Sequence, residues 1–529
     1  MGSKKLQVWL PLLFAIVMTV GMWLGYQLRE NTSGAIGFMN NSKSNSLQEI
    51  LNLVQNKYVD TVSVDSLKET AIEEMLTHLD PHSVYIPAKE LDGVNEEMQG
   101  NFMGIGVEFQ IFSDTVNIVN VIEGGPSFKA GVEVGDKIIK VNDTTIIAGK
   151  KILPDDVKRY LRGPGGSTVK VTMLRNGEQK NIAIERGIIP LPSVDAAYMM
   201  DTTTGFIHIN KFSETTYPEF MAAMEKLQKE HMQKLVLDLR GNGGGVLQQA
   251  ADIADEFLDN DKMIVYTKGS KTPNTEYRCS KEGVFETGKI TVLVDETSAS
   301  ASEILSGALQ DWDRATIVGR RTFGKGLVQQ QFPLSDGGAL RLTVARYYTP
   351  LGRNIQKPYN KGIDNYEDEL MQRFSDGEVV HGDTAAPKGP AFKTKAGHIV
   401  YGGGGITPDI FIPFDTTSQP KEVLKLYMKG TLNNFVYEYY MKNKTFLQTL
   451  KTPGDLYKQF KPGEKEWQQL TAFATKDTVD LTTLPASAKA DLLAKFQSML
   501  ARQVWRTEGY YEVSNETDPM IKKALDILK

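Results

Sequence analysis

The sequence predicts a multidomain protein of α/β and β architecture: an N-terminal transmembrane anchor, a small β-rich module, an α/β core and a helical C-terminal region. Three observations predict it. An uncharged run of 23 residues, 6–28, separates Lys5 from Arg29. Between residues 104 and 186, short alternating apolar runs are divided by Gly-rich turns, the pattern of a β module of about 85 residues. From 188 to about 413, apolar runs such as KLVLDL (234–239) and ITVLVD (290–295) are each followed by a Gly or Ser turn and a helical stretch, which is α/β grammar. The 529 residues, 41% hydrophobic and 24% charged, allow three or four domains at roughly 100–200 residues each and exclude global disorder.

Each element follows in order. Residues 1–28 read as a cytoplasmic stub and a transmembrane signal anchor. As a helix the run spans about 35 Å, enough to cross a bilayer core. Trp9, Trp23 and Tyr26 lie near its ends, where amphipathic rings prefer the interface, and Pro11 is tolerated near one end. Lys4 and Lys5 before the run predict a cytoplasmic N-terminus and the remaining domains outside. The alternative, a cleaved signal peptide, lacks a small-x-small site, and no cysteine follows for lipidation. Residues 29–46 form a polar linker. Residues 47–95 carry helical spacing (Ile50, Leu51, Val54, then Leu67, Ile72, Met75, Leu76), broken at LDPHSVYIP (79–87) by two prolines. The β module occupies 96–187 and the α/β core 188–415, with a weakly patterned polar stretch at 364–395 read as a surface insertion. Residues 416–529 are helical and carry no chemical motif.

Composition narrows the function. A net charge of −5 gives no basic footprint for nucleic acid. One cysteine, Cys279, rules out an intramolecular disulfide and any multi-Cys metal site. Six scattered histidines without HExxH give a zinc hydrolase little support. The chemistry is therefore expected from ordinary side chains, with no metal or organic cofactor.

The β module opens with Met103-Gly104-Ile105-Gly106-Val107. A Gly-x-Gly loop entering a strand turns consecutive N–H groups toward one point, a nest that accepts a carboxylate. The strand edge beyond it suits an added peptide strand. Tight turns in a small barrel are the plain alternative, but AGVEVGD and LRGPGGS follow in order. The set resembles a PDZ domain in a circularly rearranged bacterial form, which implies recognition of a C-terminal carboxylate, with Ile105, Val107 and Phe109 as candidate pocket residues.

Three stretches of the core bear on catalysis. DLRGNGGG (238–245) follows a buried strand and exposes N–H groups suited to phosphate or an oxyanion, but lacks the GK[ST] of a P-loop. TSASASEILSGAL (297–309) enters a helix. Ser300 and Glu303 fit a capping box, and the same junction exposes a hydroxyl beside free helix N–H groups. RTFGKGLVQ (321–329) sets Lys325 between glycines. In an apolar setting desolvation favours neutral lysine, and moving its pKa from about 10.4 to about 7 costs roughly 4–5 kcal/mol, within what burial supplies. A neutral lysine can deprotonate a serine. No GxSxG serine is present, and no histidine sits in these motifs.

The ordered set LDPHSVYIP, GNFMGIGV, AGVEVGD, LRGPGG, DLRGNGGG, TSASASEILSGALQD, GRRTFGKGLVQ, YYTPLGRNIQ and GITPD, over about residues 75–412, resembles the carboxyl-terminal processing (tail-specific) peptidases of family S41, whose core has a crotonase/ClpP-like fold. The resemblance implies Ser300 as nucleophile, Lys325 as general base and Gln329 as the residue orienting it. It implies oxyanion donation by the amides of Ala301 and of Gly244 or Gly245. It also implies that Arg162 couples the PDZ module to the active site. The expected protein is a single-pass enzyme of the bacterial inner membrane with periplasmic catalytic domains. It would act on protein or peptide substrates with exposed C-terminal tails; self-assembly and an adaptor are left open. The rivals are a catalytically silent PDZ scaffold at the membrane and a carrier of hydrophobic ligands.

Overall fold

The computed structural model describes residues 9, 11, 14–24, 46–112, 114–142, 145–146, 152–382, 389–415 and 420–529. Residues 1–75 form one compact unit and residues 76–529 another. In the first, residues 14–24 are helical, and helices follow at Ser46–Lys57 and Val64–Thr77. Among the described residues no helix is long and apolar enough to cross a membrane. Both ends of the apolar run, residues 6–8 and 25–28, lie outside the described residues, as does most of the linker.

The second unit is built on a six-stranded sheet in the order Val194–Met199, Thr204–Ile209, Lys234–Asp238, Lys289–Val294, Thr316–Gly319 and Ile410–Phe411. The first pair is antiparallel and the others are parallel. Parallel strands are covered on both faces, hence the near-continuous apolar runs in the sequence. Leu235 and Leu237 face helices Thr216–Lys229, Leu247–Asp255 and Ala301–Asp311, with Phe220, Ala254 and Leu305 in the same cluster. Val236, one residue out of phase, faces the other way. There the last helix of the chain, Pro519–Leu528, lays Met520, Ile521, Ala524 and Leu528 against Phe206, Val236, Leu293 and Val318. The end of the C-terminal region is thus part of the α/β core.

A second sheet supplies the other wall of the site. Its long strand Ala339–Tyr348 pairs antiparallel with Leu327–Pro333, Met263–Lys268 and Val84–Ile86. The last is a short strand within the segment read from sequence as a turn. In the 327–348 hairpin Gln329 lies directly across from Thr343, next to an irregularity between Val328 and Gln329.

The PDZ module is a sheet ordered Val107–Phe112, Thr115–Val121, Lys137–Val141, Thr168–Arg175, Glu178–Glu185, with Thr145–Ile146 beside the third strand. A ladder between Asn101–Gly104 and Gly187–Pro190 ties its two ends together. Val107–Phe112 is the edge strand, and helix Pro154–Leu161 packs Val157 and Leu161 into the same core as its partly buried Val107, Phe109 and Ile111. Ile105 is only 3% exposed and belongs to that core.

Helices Lys421–Met428, Thr431–Leu447, Pro453–Gln459, Glu464–Lys476 and Ala486–Asn515 enclose a separate apolar core around Val436, Leu470 and Phe496. The longest of them is interrupted at Trp505 and Arg506, where the dihedrals are not helical. It meets the PDZ module through Arg502, 3.7 Å from Glu108, and Tyr437 lies 5.4 Å from Phe112 between ring centres. Part of the polar stretch at 364–395, read from sequence as a surface insertion, is tied into the core, and its residues 383–388 lie outside the described residues. Helix Ile363–Ser375 lies within it, and buried Arg373 donates to the carbonyls of Arg321, Thr322 and Phe323, holding the backbone that leads into Lys325. Its polarity serves this internal ion-pair set, which includes Glu369 with Arg373 and Lys357.

Candidate active site

Ser300 sits where strand Lys289–Val294 turns into helix Ala301–Asp311. The turn is tied down by small polar residues. Ser298 Oγ donates to the Leu239 carbonyl at 2.8 Å and Ser302 Oγ to the Asn242 carbonyl at 2.9 Å. The alternating serines are explained by this: those on either side of Ser300 are spent on the 239–242 loop. Ser300 itself has φ 55° and ψ −112°, a strained conformation for a residue with a Cβ. Strain of this kind gathers at functional sites, and a nucleophile on a strand–helix turn is a common instance.

Glu303 links the serine to the lysine. It closes the capping box with Ser300, whose N–H donates to Glu303 Oε2 at 2.8 Å. The same oxygen accepts the Lys325 N–H at 2.8 Å, and Oε1 accepts the Gly324 N–H at 2.7 Å and the Thr322 hydroxyl at 2.5 Å. Burial pushes its carboxyl up to about 6 despite these four donors. Fully buried Tyr347 adds a second link, its hydroxyl donating to the Ser300 carbonyl at 3.1 Å and lying against that of Lys325. Sequence reasoning saw Glu303 only as a cap and missed Tyr347.

Lys325 and Ser300 line one cavity of about 530 Å³, together with Gly244, Gly245, Gln329 and Arg341. Burial lowers the Lys325 ammonium, and the Arg341 guanidinium lowers it further, against the opposing charges of Glu303 and Asp80. No hydrogen bond joins Ser300 Oγ to Lys325 Nζ in this conformation. Gln329, expected on the lysine, instead donates through Nε2 to Thr343 Oγ1 at 3.4 Å, because the antiparallel register sets the two side chains opposite each other.

The two glycines expected to share one role differ. Gly244 has φ 94°, and a Cβ there would stand 2.7 Å from Ser300 Cβ and 2.9 Å from the Ala301 nitrogen. Its own N–H is engaged by Asn242 Oδ1 at 2.9 Å. The Gly244 carbonyl accepts from the Phe212 N–H at 2.9 Å. A trans peptide directs the Gly245 N–H to the opposite side. Among the described residues neither this amide nor that of Ala301, at the start of its helix, has an acceptor.

In the PDZ module Gly104, Ile105 and Gly106 lead into the edge strand at Val107. Ile105, expected as a pocket residue, packs its side chain into the core of the module instead. The carbonyls of Ile105 and Gly106 are taken by Ser127 and Ile122 N–H groups. Arg162, at the end of helix Pro154–Leu161, pairs with Glu96 at 2.8 Å and lies 4.5 Å from the Phe102 ring centre. Glu96 is on helix Ala88–Gln99, whose Asn95 and Met98 also line the cavity of Ser300 and Lys325.

Residues 203–365 match peptidase family S41 and residues 103–185 a PDZ domain, while 423–506 match a family of unknown function. A probable CtpA-like serine protease of Staphylococcus haemolyticus is 34% identical over 365 residues, covering 68% of this chain and 72% of the relative. A carboxy-terminal-processing protease of Bartonella bacilliformis is 39% identical over 315 residues, covering 58% and 71%. Among solved structures, the photosystem II D1 C-terminal processing protease is 26% identical with a TM-score of 0.35, covering 69% of this chain and 92% of that one. The chain belongs to peptidase family S41, as a carboxy-terminal-processing serine peptidase with a PDZ domain.

Proposed function

We propose that the peptidase acts through a Ser300–Lys325 dyad on polypeptides whose C-terminal tails are held by the PDZ module. The observation that carries the reading is the shared cavity: a serine at a strained helix start beside a partly buried lysine whose ammonium is disfavoured. Neutral Lys325 takes the proton of Ser300 as Oγ bonds to the scissile carbonyl carbon. The amides of Ala301 and Gly245 hold the oxyanion, Gly244 supplying close approach rather than a donor. The lysine then gives its proton to the leaving amine, and the acyl ester is hydrolysed by a water that Lys325 deprotonates. Gln329 orients the lysine. A substrate tail adds a strand to Val107–Phe112 with its carboxylate at the Gly104–Gly106 nest, its apolar side chains meeting Val107 and Phe109, and Arg162 passes its arrival through Glu96 to helix Ala88–Gln99.

Residues 6–28 anchor the chain in the bacterial inner membrane by a single pass, with the catalytic unit in the periplasm. The length of the apolar run and the lysines before it support this. Carbonate extraction and protease accessibility of spheroplasts test it, and release of the full-length chain into the soluble fraction would oppose it.

The enzymatic test uses an unstructured protein with an apolar C-terminus, free or amidated. Wild type is expected to cleave the free tail faster, and Ser300→Ala and Lys325→Ala to lose cleavage while staying folded. Equal rates on free and amidated tails would remove the carboxylate-recognition step. Tail binding without cleavage by folded wild type would favour a scaffold.

A further inference from the structure

The turn at 79–83 takes no part in the chemistry above, yet it delivers a buried carboxylate to Thr343, on the strand paired with that of Gln329. Asp80 is 8% exposed. Its Oδ1 accepts the N–H groups of His82 (2.9 Å) and Ser83 (3.0 Å) and the hydroxyl of Thr343 (2.9 Å). Oδ2 accepts the Ser83 hydroxyl at 2.6 Å, and Ser83 Oγ in turn accepts the Thr343 N–H at 3.1 Å. Every proton around this carboxylate therefore points at it.

That direction has a consequence two bonds away. A hydroxyl carries one proton, and Thr343 gives its proton to Asp80. Toward Gln329 it presents only lone pairs, so the end of the amide that fits is the NH₂, as the 3.4 Å contact from Nε2 records. The Gln329 oxygen is thereby turned away from Thr343. A lysine ammonium has three donors and no acceptor, so only that oxygen can receive a hydrogen bond from it. Were the amide inverted, its nitrogen would meet the ammonium as donor against donor.

We infer that Asp80 is a positioning residue for the peptidase reaction: through the Thr343 hydroxyl it selects the amide orientation in which Gln329 offers oxygen to Lys325. The inference rests on the reading of Lys325 as general base and Gln329 as its partner. The relay acts on hydrogen-bond direction rather than on packing. It gives the 79–83 turn, whose following strand Val84–Ile86 zips onto residues 339–341, a task in the site as well as in the fold.

The test is a pair of double-mutant cycles on the full chain, with kcat and KM measured on the tail-bearing unstructured protein. Thermal midpoints and the fraction of Ser300 reactive to a fluorophosphonate normalise for folding. Thr343→Val is expected to lower kcat about tenfold with KM within about twofold, and Thr343→Ser, which keeps the hydroxyl, to stay within about threefold of wild type. In a Gln329→Ala background Thr343→Val should cost no more than about twofold further, because its effect travels through Gln329. Asp80→Ala should also lower kcat, and because its charge acts directly on Lys325 as well, Asp80→Ala combined with Thr343→Val should cost no more than about twofold beyond Asp80→Ala alone. Equal losses from Thr343→Val with and without Gln329 would overturn the relay, as would full activity in Thr343→Val. If Gln329→Ala itself leaves kcat unchanged, the assignment of Gln329 fails and takes the relay with it. That outcome differs from one in which Gln329→Ala is costly and Thr343→Val is silent, where the relay alone fails.

Discussion

In the proposed reaction the Ser300 turn and the PDZ edge both meet a polypeptide substrate, yet they are built in opposite ways. Around Ser300 and Lys325 the polar neighbours are buried and committed: Glu303 receives four hydrogen bonds, and Arg373 donates to three successive carbonyls before Lys325. At the PDZ module no described strand pairs with the outer edge of Val107–Phe112, and a half-exposed ion pair, Arg162–Glu96, connects the module to the helix that borders the site. Chemistry needs groups held in place before substrate arrives. A coupling contact must instead be cheap to break and remake, and surface ion pairs are worth only about 0–1 kcal/mol.

The sharpest way to break this comparison is at the catalytic turn. Ser300→Ala should reduce kcat by about 10⁴-fold or more, and Lys325→Ala by about 10²–10⁴-fold, each with a thermal midpoint near that of wild type in a calorimetric scan. Next in size, Glu303→Ala leaves the N–H groups of Ser300, Gly324 and Lys325 and the Thr322 hydroxyl without their acceptor in a buried site. The substitution should destabilise the core by roughly 3–5 kcal/mol in urea titration and lose activity along with fold. Arg162→Ala should do the converse. Tail-bearing substrates should be processed about tenfold more slowly while stability changes by under about 1 kcal/mol, measured by cleavage and urea titration of one preparation. A large stability loss there would mean that the PDZ contact is structural.

The smallest effect is on pH. The base must be neutral, so kcat/KM should rise with pH as Lys325 loses its proton. Burial and Arg341 lower the lysine's pKa, which places that limb below the ordinary lysine range. Removing the Arg341 charge raises the pKa, so the limb should move to higher pH in Arg341→Met and stay in place in Arg341→Lys. A shift to lower pH would contradict this electrostatic account.

Much of this was legible from the residues. The apolar runs at 234–239 and 290–295 became the central strands because a strand buried on both faces has no polar side to show. Ser300 at the N-cap followed from local spacing alone, and the Gly-x-Gly entry to the edge strand from turn chemistry. What stayed hidden depends on distant partners. Helix Ile363–Ser375 looked like surface because Glu369 and Arg373 are charged, and only tertiary structure shows Arg373 reaching the carbonyls of residues 321–323. Pro519–Leu528 read as a helix, but nothing local says that it covers the sheet. Gly244 and Gly245 are equivalent in the sequence and are separated only by the direction of one peptide plane. Asp80 looked like a turn residue, since the Thr343 it serves lies 263 positions away.

The central claim is that Lys325 activates Ser300. The most direct measurement is the single-turnover rate at which Ser300 is acylated by a tail-bearing substrate, as a function of pH, in wild type and in Lys325→Ala. The account predicts a wild-type rate that climbs through the lysine's lowered pKa, and in the variant a rate at least about 10²-fold lower with no such limb. An unchanged rate and limb in folded Lys325→Ala would contradict it.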